Sequence, residues 1–224
     1  MMGVCVIVLG KSGSGKSTSL RNFEPGEVGI LNVMGKPLPF RKKLDSTNTQ
    51  DYRTIKACIT SGKRRAWVVD DAGYLLSLEN FARARETGYG KYTDMAVNFQ
   101  ELIKSATVLA PEDCITYLFM HPELDAMGHE KIRTVGRMLD ERFGIEGAVP
   151  VLIDCEVRDG EHVFVTKNDG TNLAKAPMDM LPDVMDNDLK AVDAAIRSYW
   201  DMAPLTDEPA QRKRGGKEAA HATA

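Results

Sequence analysis

Residues 10–17 read Gly10-Lys11-Ser12-Gly13-Ser14-Gly15-Lys16-Ser17 and follow a short apolar run, Val4–Leu9. The stretch fits the pattern G-x-x-x-x-G-K-S/T, which requires a strand before it and a helix after it. The glycines of the pattern allow backbone angles that a Cβ atom would hinder, so that successive N–H groups can point inward at an anion. The stretch therefore predicts a phosphate-binding loop between a first strand over Val4–Leu9 and a helix over Lys16–Phe23.

The polar side chains of this loop predict a nucleotide bound with a metal ion. Lys16 can reach the β- and γ-phosphates, and the Ser17 hydroxyl can ligate Mg²⁺. The helix that begins near Gly15 would direct the positive end of its dipole at the same anion. We predict ATP and Mg²⁺ as cofactors, with a nucleotide-binding set that comprises Gly10, Lys11, Ser12, Gly13, Ser14, Gly15, Lys16, Ser17 and Thr18.

A second apolar run, Arg65–Asp70, ends in a pair of acidic residues. Open α/β sheets bind ligands at the carboxyl ends of their strands, so this run delivers a carboxylate to the place where a nucleotide would lie. We predict that Asp70 holds Mg²⁺, through water. Asp71 is a candidate to orient or deprotonate the attacking water, and the alternative is a turn or helix-capping residue before Ala72.

His121 follows a third apolar run, Cys114–Met120. If this strand lies beside the one that carries Asp70, the imidazole can contact the γ-phosphate or the attacking water. The alternative is a histidine that merely satisfies its hydrogen bonds at a strand end. The predicted catalytic residues are Lys16, Asp71 and His121.

Strands and helices alternate over the first half of the chain, which predicts an α/β fold with a mainly parallel sheet flanked by helices. The predicted strands are Val4–Leu9, Val28–Val33, Arg65–Asp70 and Cys114–Met120. The predicted helices are Lys16–Phe23, Asp51–Ser61, one that starts near Gly73, and Tyr92–Leu109.

The later part of the chain predicts a different arrangement. Val149–Val157 and His162–Lys167 are typical of an antiparallel hairpin, closed by a turn that contains Asp159-Gly160. Asn187–Trp200 predicts a final amphipathic helix, capped by Asp186 or Asn187. We predict a folded domain over residues 1–200 and a disordered tail over residues 201–224, which is rich in Pro, Ala, Gly and charged residues.

The composition sets broad limits on function. The chain has 224 residues, a formal net charge of −3 and 27% charged residues, so that any nucleic-acid-binding surface must be local. No apolar run approaches the length of a membrane helix, and we expect no membrane partner. The four cysteines are far apart and form no C-x-x-C pair, which predicts free thiols in a reducing, cytoplasmic compartment.

Longer stretches around and beyond the phosphate loop carry a family resemblance. They are Gly10–Phe23, Gly35-Lys36-Pro37-Leu38-Pro39-Phe40, Val68–Leu75, Gly88–Asp94, Gly136–Asp140, Lys175–Met178 and Asn187–Asp193. Together they resemble a family of bacteriophage RecA-like P-loop ATPases that includes the Sak-type single-strand annealing proteins. The resemblance extends over nearly the whole chain up to Trp200.

This resemblance implies a RecA-like core, ATP hydrolysis coupled to single-stranded DNA, and homo-oligomers with ATP at the subunit interfaces. It also implies a role in phage recombination, annealing or replication in the host cytoplasm, with phage single-strand-binding or replication proteins as partners. One feature departs from the pattern. RecA-like enzymes place a catalytic glutamate after the second core strand, whereas here Met34-Gly35-Lys36 follows. Asp71 would have to take over its role, or hydrolysis would be slow.

Two segments combine basic and aromatic residues, which suits single-stranded DNA because bases stack on rings while cations follow the phosphates. The alternative for both is a solvated surface. The predicted DNA-binding residues are Arg83, Arg85, Tyr89, Lys91 and Tyr92 in the first segment, and Lys131, Arg133 and Arg137 in the second. Three further lysines are candidates to contact the γ-phosphate: Lys36, Lys167 and Lys175.

Other nucleotide-dependent functions remain open at this level. A GTPase is disfavoured because the guanine-reading N-K-x-D motif is absent. A small-molecule kinase would use the segment 122–148, which carries several arginines, as a lid. A non-catalytic nucleotide switch that assembles with phage proteins is consistent with the missing glutamate.

Overall fold

The computed structural model describes residues 3–136 and 138–205, and at residues 140 and 141 only the backbone. The strands are β1 (Val4–Leu9), β2 (Gly29–Asn32), β3 (Asp45–Asn48), β4 (Ala66–Asp70), β5 (Ile115–Met120), β6 (Pro122–Leu124), β7 (Glu130–Ile132), β8 (Val151–Arg158), β9 (Glu161–Val165) and β10 (Val184–Asp186). The α-helices are α1 (Tyr52–Thr60), α2 (Gly73–Ala82), α3 (Gly90–Thr107) and α4 (Leu189–Tyr199). Shorter helical turns span Ser17–Asn22, Met138–Phe143 and Ile145–Ala148.

One sheet carries the functional edge of the molecule. Within the described residues it has eight strands in the order β10-β9-β8-β1-β5-β4-β2-β3. The strands from β8 to β3 are parallel, and β9 and β10 extend the sheet in antiparallel fashion. This confirms the predicted α/β class with a mainly parallel sheet and a C-terminal hairpin. The β5 strand lies between β1 and β4, so the loop after β1 and the acids after β4 emerge at the same edge.

Both faces of the sheet are apolar, as expected for parallel strands that are covered on each side. Successive β1 residues point to opposite faces. Ile7 packs into a core with α1, α2 and α3, whereas Val8 packs into a core with the Ser17–Asn22 turn and α4. Because every β1 residue is buried, this strand is a rigid support for the loop that follows it.

Most predicted elements are present, and the predicted hairpin turn is confirmed. Asp159 and Gly160 have φ angles of 52° and 85°, as a two-residue hairpin loop requires when it follows the twist of its strands. The predicted cap of the last helix was wrong: Asp188 accepts the backbone N–H groups of Lys190 and Ala191. Asp186 is instead the last residue of β10.

Several elements carried no recognisable signal. β3 reads Asp45-Ser46-Thr47-Asn48 and is an exposed edge strand without an apolar face. The β6–β7 hairpin and the helical turns over Met138–Phe143 and Ile145–Ala148 occupy the segment 122–148, where apolar periodicity is weak.

The helix expected over Lys16–Phe23 is shorter in the structure. It is a six-residue 3₁₀ turn over Ser17–Asn22, and it ends there because Phe23 has an extended backbone. A dipole contribution from so short a helix is small.

A buried polar network fixes the last helix to the sheet. The Tyr117 hydroxyl donates to Asp193 at 2.8 Å, and the Arg197 guanidinium donates to the same carboxylate and to the Asp113 and Arg65 carbonyl oxygens. A buried aspartate with these partners is costly to disrupt, since removing one partner leaves an uncompensated charge. The network therefore supports the α4 side of the core.

Three further predictions concern the cysteines, membrane-spanning helices and the C-terminal end of the folded domain. The four cysteines are free, and Cys58 alone is only half-buried. In residues 3–136 and 138–205, no helix combines the length and apolarity needed to cross a bilayer. Met202 is buried beyond the predicted boundary at residue 200. Residues 206–224, which hold most of the predicted tail, lie outside the described residues.

Candidate nucleotide-binding site

The loop between β1 and the Ser17–Asn22 turn has the backbone that its glycines predict. Gly13 and Gly15 have φ angles of 82° and 105°, a region in which other residues are strained. A Cβ atom at Gly15 would also lie 3.0 Å from the His162 ring. At Gly10, a Cβ atom would lie 2.5 Å from the Ser14 hydroxyl and 2.6 Å from the Cys155 carbonyl oxygen. Glycine is thus required sterically as well as conformationally.

Residues far along the chain hold the loop from behind. The Ser14 carbonyl oxygen accepts a hydrogen bond from the Cys155 thiol at 3.1 Å and lies 2.8 Å from His162 Nδ1. The Asn187 amide donates to the Cys155 sulfur at 3.2 Å. Sequence reasoning missed these three residues, because no motif marks them and their role depends on β8 lying beside β1.

Lys16 lies over the loop with its ammonium on main-chain oxygens. Its Nζ donates to the carbonyl oxygens of Gly10 at 2.6 Å and Lys11 at 3.1 Å. The side chain is buried, and burial lowers its pKa from the ordinary lysine value. A phosphate group entering the loop would offer this ammonium a fully charged partner in place of neutral carbonyl oxygens.

Ser17 and Asp70 meet at the position expected for a metal ion. The Ser17 hydroxyl donates to both Asp70 carboxylate oxygens, at 3.0 and 3.1 Å. Burial, followed by repulsion from Asp71, raises the pKa of Asp70 to about 6. A hydroxyl and a carboxylate that would be stabilised by a cation form an oxygen donor set that suits Mg²⁺.

Asp71 adopts an unusual backbone conformation that directs its carboxylate into the site. Its φ angle is 63°, a left-handed conformation that aspartate tolerates better than most residues. Of the two alternatives, the turn is observed, since Asp71 lies in the turn before α2 and its carbonyl oxygen accepts the Tyr74 N–H at 2.9 Å. The capping role is not observed, because Ala72 is the N-cap of α2 and no side-chain hydrogen bond caps this helix. The carboxylate instead lies 2.7 Å from Lys36 Nζ and 3.9 Å from His121 Nε2.

His121 lies at the end of β5, and β5 neighbours β4 as the prediction required. Its ring packs edge-on against Tyr74 with centroids 5.5 Å apart. Burial, followed by the positive charge of Lys16, lowers its pKa to about 4. The imidazole is therefore neutral near pH 7 and can donate one hydrogen bond and accept another.

These residues line one open cleft of about 270 Å³. It brings together the loop from Lys11 to Thr18 with Asp70, Asp71 and His121, which are the residues predicted from separate parts of the sequence. The cleft also includes residues outside the predicted nucleotide and catalytic sets: Lys36, Pro37, Pro39 and His162. Of the three lysines considered for the γ-phosphate, Lys36 alone lines it; Lys167 pairs with Asp183 at 3.2 Å.

The predicted DNA-binding residue Arg83 is already neutralised within the chain. Its guanidinium lies within 3.3 Å of carboxylate oxygens of Glu79, Glu86 and Asp94. The hydrogen bonds to Glu86 and Asp94 raise its pKa further above the ordinary arginine value. Three acidic partners leave little net positive charge here for a phosphate backbone.

Other residues of the two basic segments also have intramolecular contacts. Lys91 donates to the Arg83 carbonyl oxygen at 3.2 Å and lies 5.1 Å from the centre of the Tyr92 ring, which packs against the core. Lys131 forms an ion pair with Glu123 at 3.0 Å.

Three predicted DNA-binding residues are exposed, and a fourth is not described. Arg85 is exposed, and the Tyr89 side chain is 88% exposed. Arg133 is exposed as well, but it lies beside Tyr74 and His121 at the edge of the nucleotide cleft. Arg137 lies outside the described residues. Arg85 and Tyr89 are thus the exposed residues of the predicted DNA-binding set that do not line the pocket beside Tyr74 and His121.

The comparisons with known proteins add little to this geometry. No protein-family model matches the chain, and no curated protein matches it. One similar solved structure is a prototypical ATPase from the type III secretion system of pathogenic bacteria, with a TM-score of 0.43 and 15% sequence identity. The alignment covers 69% of this chain and about half, 51%, of that ATPase. The resemblance to phage RecA-like ATPases remains a prediction.

Proposed function

We propose that the protein binds ATP with Mg²⁺ and hydrolyses it to ADP and phosphate. One observation carries the proposal: the Ser17 hydroxyl lies 3.0 Å from the Asp70 carboxylate in the same cleft as the glycine loop, Lys16 and Asp71. A glycine loop alone can bind any phosphate. A serine hydroxyl next to a buried strand-end carboxylate is the additional pair that a nucleotide-bound metal ion requires.

In the bound state, the backbone N–H groups of the loop and the Lys16 ammonium hold the β- and γ-phosphates. Ser17 and Asp70 would hold Mg²⁺, which would supply neutralisation of the charge that develops on the phosphate oxygens. Since the pKa of Asp70 is raised mainly by burial, a bound cation would also keep this carboxylate ionised.

Asp71 is the proposed base. A water molecule between its carboxylate and the γ-phosphate would attack phosphorus, the bond to the β-γ bridging oxygen would break, and ADP would leave. The proton of the water would pass to the Asp71 carboxylate. His121, which is neutral and lies 3.9 Å from that carboxylate, can hold the same water by a hydrogen bond.

Phosphate release from ATP by the purified chain tests the proposal, with Mg²⁺ or with excess chelator. We expect turnover that requires Mg²⁺ and is lost in Lys16→Ala. The matched control is Lys42→Ala, because Lys42 pairs with Glu24 outside the cleft. ATP binding without turnover would contradict the ATPase assignment and indicate a nucleotide switch. Turnover that requires an added acceptor alcohol would indicate a kinase instead.

We propose single-stranded DNA as a second ligand, on the exposed Arg85 and Tyr89. The ring of Tyr89 is 88% exposed just before α3, where a base could stack on it without displacing other side chains. Binding of a fluorescent oligonucleotide, with and without ATP, tests this. An affinity that falls steeply with salt and decreases in Tyr89→Ala is expected; no affinity at low salt would exclude the DNA role.

The family resemblance also supports a homo-oligomer with ATP at its subunit interfaces and partners among phage replication proteins. The molar mass in solution with and without Mg²⁺-ATP tests the first part. A monomer under both conditions would reject it.

A further inference from the structure

Lys36 and Asp71 form an ion pair inside the nucleotide cleft. The Lys36 Nζ lies 2.7 Å from Asp71 Oδ2, and this hydrogen bond raises the pKa of the lysine. The two side chains differ in exposure: Lys36 is 59% exposed, whereas Asp71 is 11% exposed. The pair thus joins a largely exposed cation to a nearly buried carboxylate, and the carboxylate is the proposed base of hydrolysis.

The backbone at Lys36 is held in place, while most of its side chain is exposed to solvent. The buried Asn32 at the end of β2 donates to the Lys36 carbonyl oxygen at 2.6 Å. Gly35, with a φ angle of 65°, makes the turn before it, and Pro37 restricts the residue that it follows. Besides pairing with Asp71, the ammonium lies 5.4 Å from the centre of the Tyr74 ring.

The cleft contains two lysines, Lys16 and Lys36, together with the glycine loop and the carboxylates of Asp70 and Asp71. Lys36 pairs with Asp71, whereas the Lys16 ammonium donates to main-chain carbonyl oxygens. A γ-phosphate would lie near both cations and would bring Lys36 a larger negative charge than one carboxylate does.

We propose that Lys36 is a γ-phosphate-binding residue that exchanges Asp71 for the nucleotide when the triphosphate enters. The exchange rests on the proposed ATP-binding function. It has two consequences. The protein binds ATP more tightly than ADP, because ADP offers Lys36 no γ-phosphate. The Asp71 carboxylate is also released from its ammonium partner only when a triphosphate is present, so the base becomes available together with its substrate.

Calorimetric titration of the chain with ADP and with a non-hydrolysable ATP analogue, both with Mg²⁺, tests the exchange. We expect Lys36→Met to lower the affinity for the analogue by about tenfold, the effect of one hydrogen bond to a charged group. The affinity for ADP should stay within about twofold of the original value, since ADP makes no contact with Lys36. Lys36→Arg should retain part of the preference for the analogue. Lys42→Met is the matched control, because it removes a lysine outside the cleft.

The outcomes separate this inference from the proposed function. An equal loss of affinity for both nucleotides in Lys36→Met would overturn the exchange and indicate a general electrostatic effect. An unchanged affinity for both would overturn it as well. If the original chain binds neither nucleotide, the proposed function itself fails, and the inference fails with it.

Discussion

The proposed nucleotide cleft and the basic segment around Arg83 both combine charged residues, but the partners of those charges differ. In the cleft, Lys16 rests on main-chain carbonyl oxygens, and Asp70 receives only a hydroxyl. Around Arg83, three carboxylates already neutralise the guanidinium. The first region holds charges that a ligand can still satisfy, whereas the second has largely satisfied its own.

The difference shows what a charge pattern can predict. The glycine loop constrains its backbone so strongly that the positions of Lys16 and Ser17 follow from their spacing. A cluster of basic and aromatic residues imposes no such constraint, since each side chain pairs with whichever acid lies closest. The residues that motif spacing singled out do lie in one cleft, while Arg83, singled out by composition, is paired with acids of its own chain.

The largest expected effect is on ATP turnover, when the Lys16 ammonium is removed from the cleft. Lys16→Ala should lower the ATP turnover on the order of 1,000-fold, because an ammonium that stabilises developing phosphate charge is lost. Phosphate release under saturating Mg²⁺-ATP measures it, and Lys42→Ala should keep the original rate. A rate within threefold of the original (roughly 0.7 kcal/mol) would mean that the cleft is not where hydrolysis occurs.

Asp71→Asn should separate binding from turnover. Asparagine also adopts the left-handed backbone found at residue 71, so the fold is preserved while the base is lost. We expect turnover to fall on the order of 100-fold, with the ATP analogue still bound. Single-turnover kinetics and titration of the analogue measure the two steps. Unchanged turnover would assign the base to another residue.

The raised pKa of Asp70 predicts a pH dependence. Mg²⁺ needs the ionised carboxylate, so nucleotide affinity should fall as the pH drops through about 6, roughly tenfold by pH 5. The stability of the nucleotide-free protein should change in the opposite direction. Because the pKa of Asp70 is raised in the folded state, this state holds the carboxyl proton more tightly than the unfolded chain does. The contribution of Asp70 to the free energy of unfolding therefore rises as the pH falls from about 6 towards 4.

Asp70→Asn is the control for this pH dependence, since the γ-phosphate also titrates near this range. The variant should bind Mg²⁺-ATP weakly and lose the part of the pH dependence that belongs to the protein. Titrations between pH 5 and 8 measure the affinity, and thermal unfolding without nucleotide measures the stability. An identical pH profile for the variant would show that the nucleotide alone titrates.

The smallest expected effect tests the basic segment. Tyr89→Ala should weaken binding of a single-stranded oligonucleotide roughly fivefold, because one stacking platform is lost. Arg83→Ala should leave the DNA affinity unchanged and lower the melting temperature, since its partners are intramolecular. Arg53→Ala is the matched control, because the Arg53 side chain on α1 is 92% exposed. A larger loss of DNA affinity in Arg83→Ala than in Tyr89→Ala would reverse this assignment.

Much of the fold followed from local sequence patterns. The strands β1, β4 and β5 are buried apolar runs, and each was predicted to within one residue at either end. The edge strand β3 and the β6–β7 hairpin could not be predicted in the same way, because their stability comes from pairing with neighbours rather than from their own apolar residues.

The sequence by itself determined the backbone of the glycine loop over residues 10–17 and the two strand ends that carry Asp70 and His121. The reason is that glycine spacing and buried strands constrain the backbone locally, and parallel strands bring their carboxyl ends to one edge.

Only the tertiary structure decided which charges were already paired and which groups support the loop. Lys36 meets Asp71 because β2 and β4 are neighbours, and His162 reaches Ser14 because the hairpin extends the sheet beside β1. The partners of the first contact are 35 positions apart in the sequence, and those of the second are 148 positions apart. Distances in the folded chain set electrostatic and hydrogen-bond energies, and separation along the sequence carries no information about them.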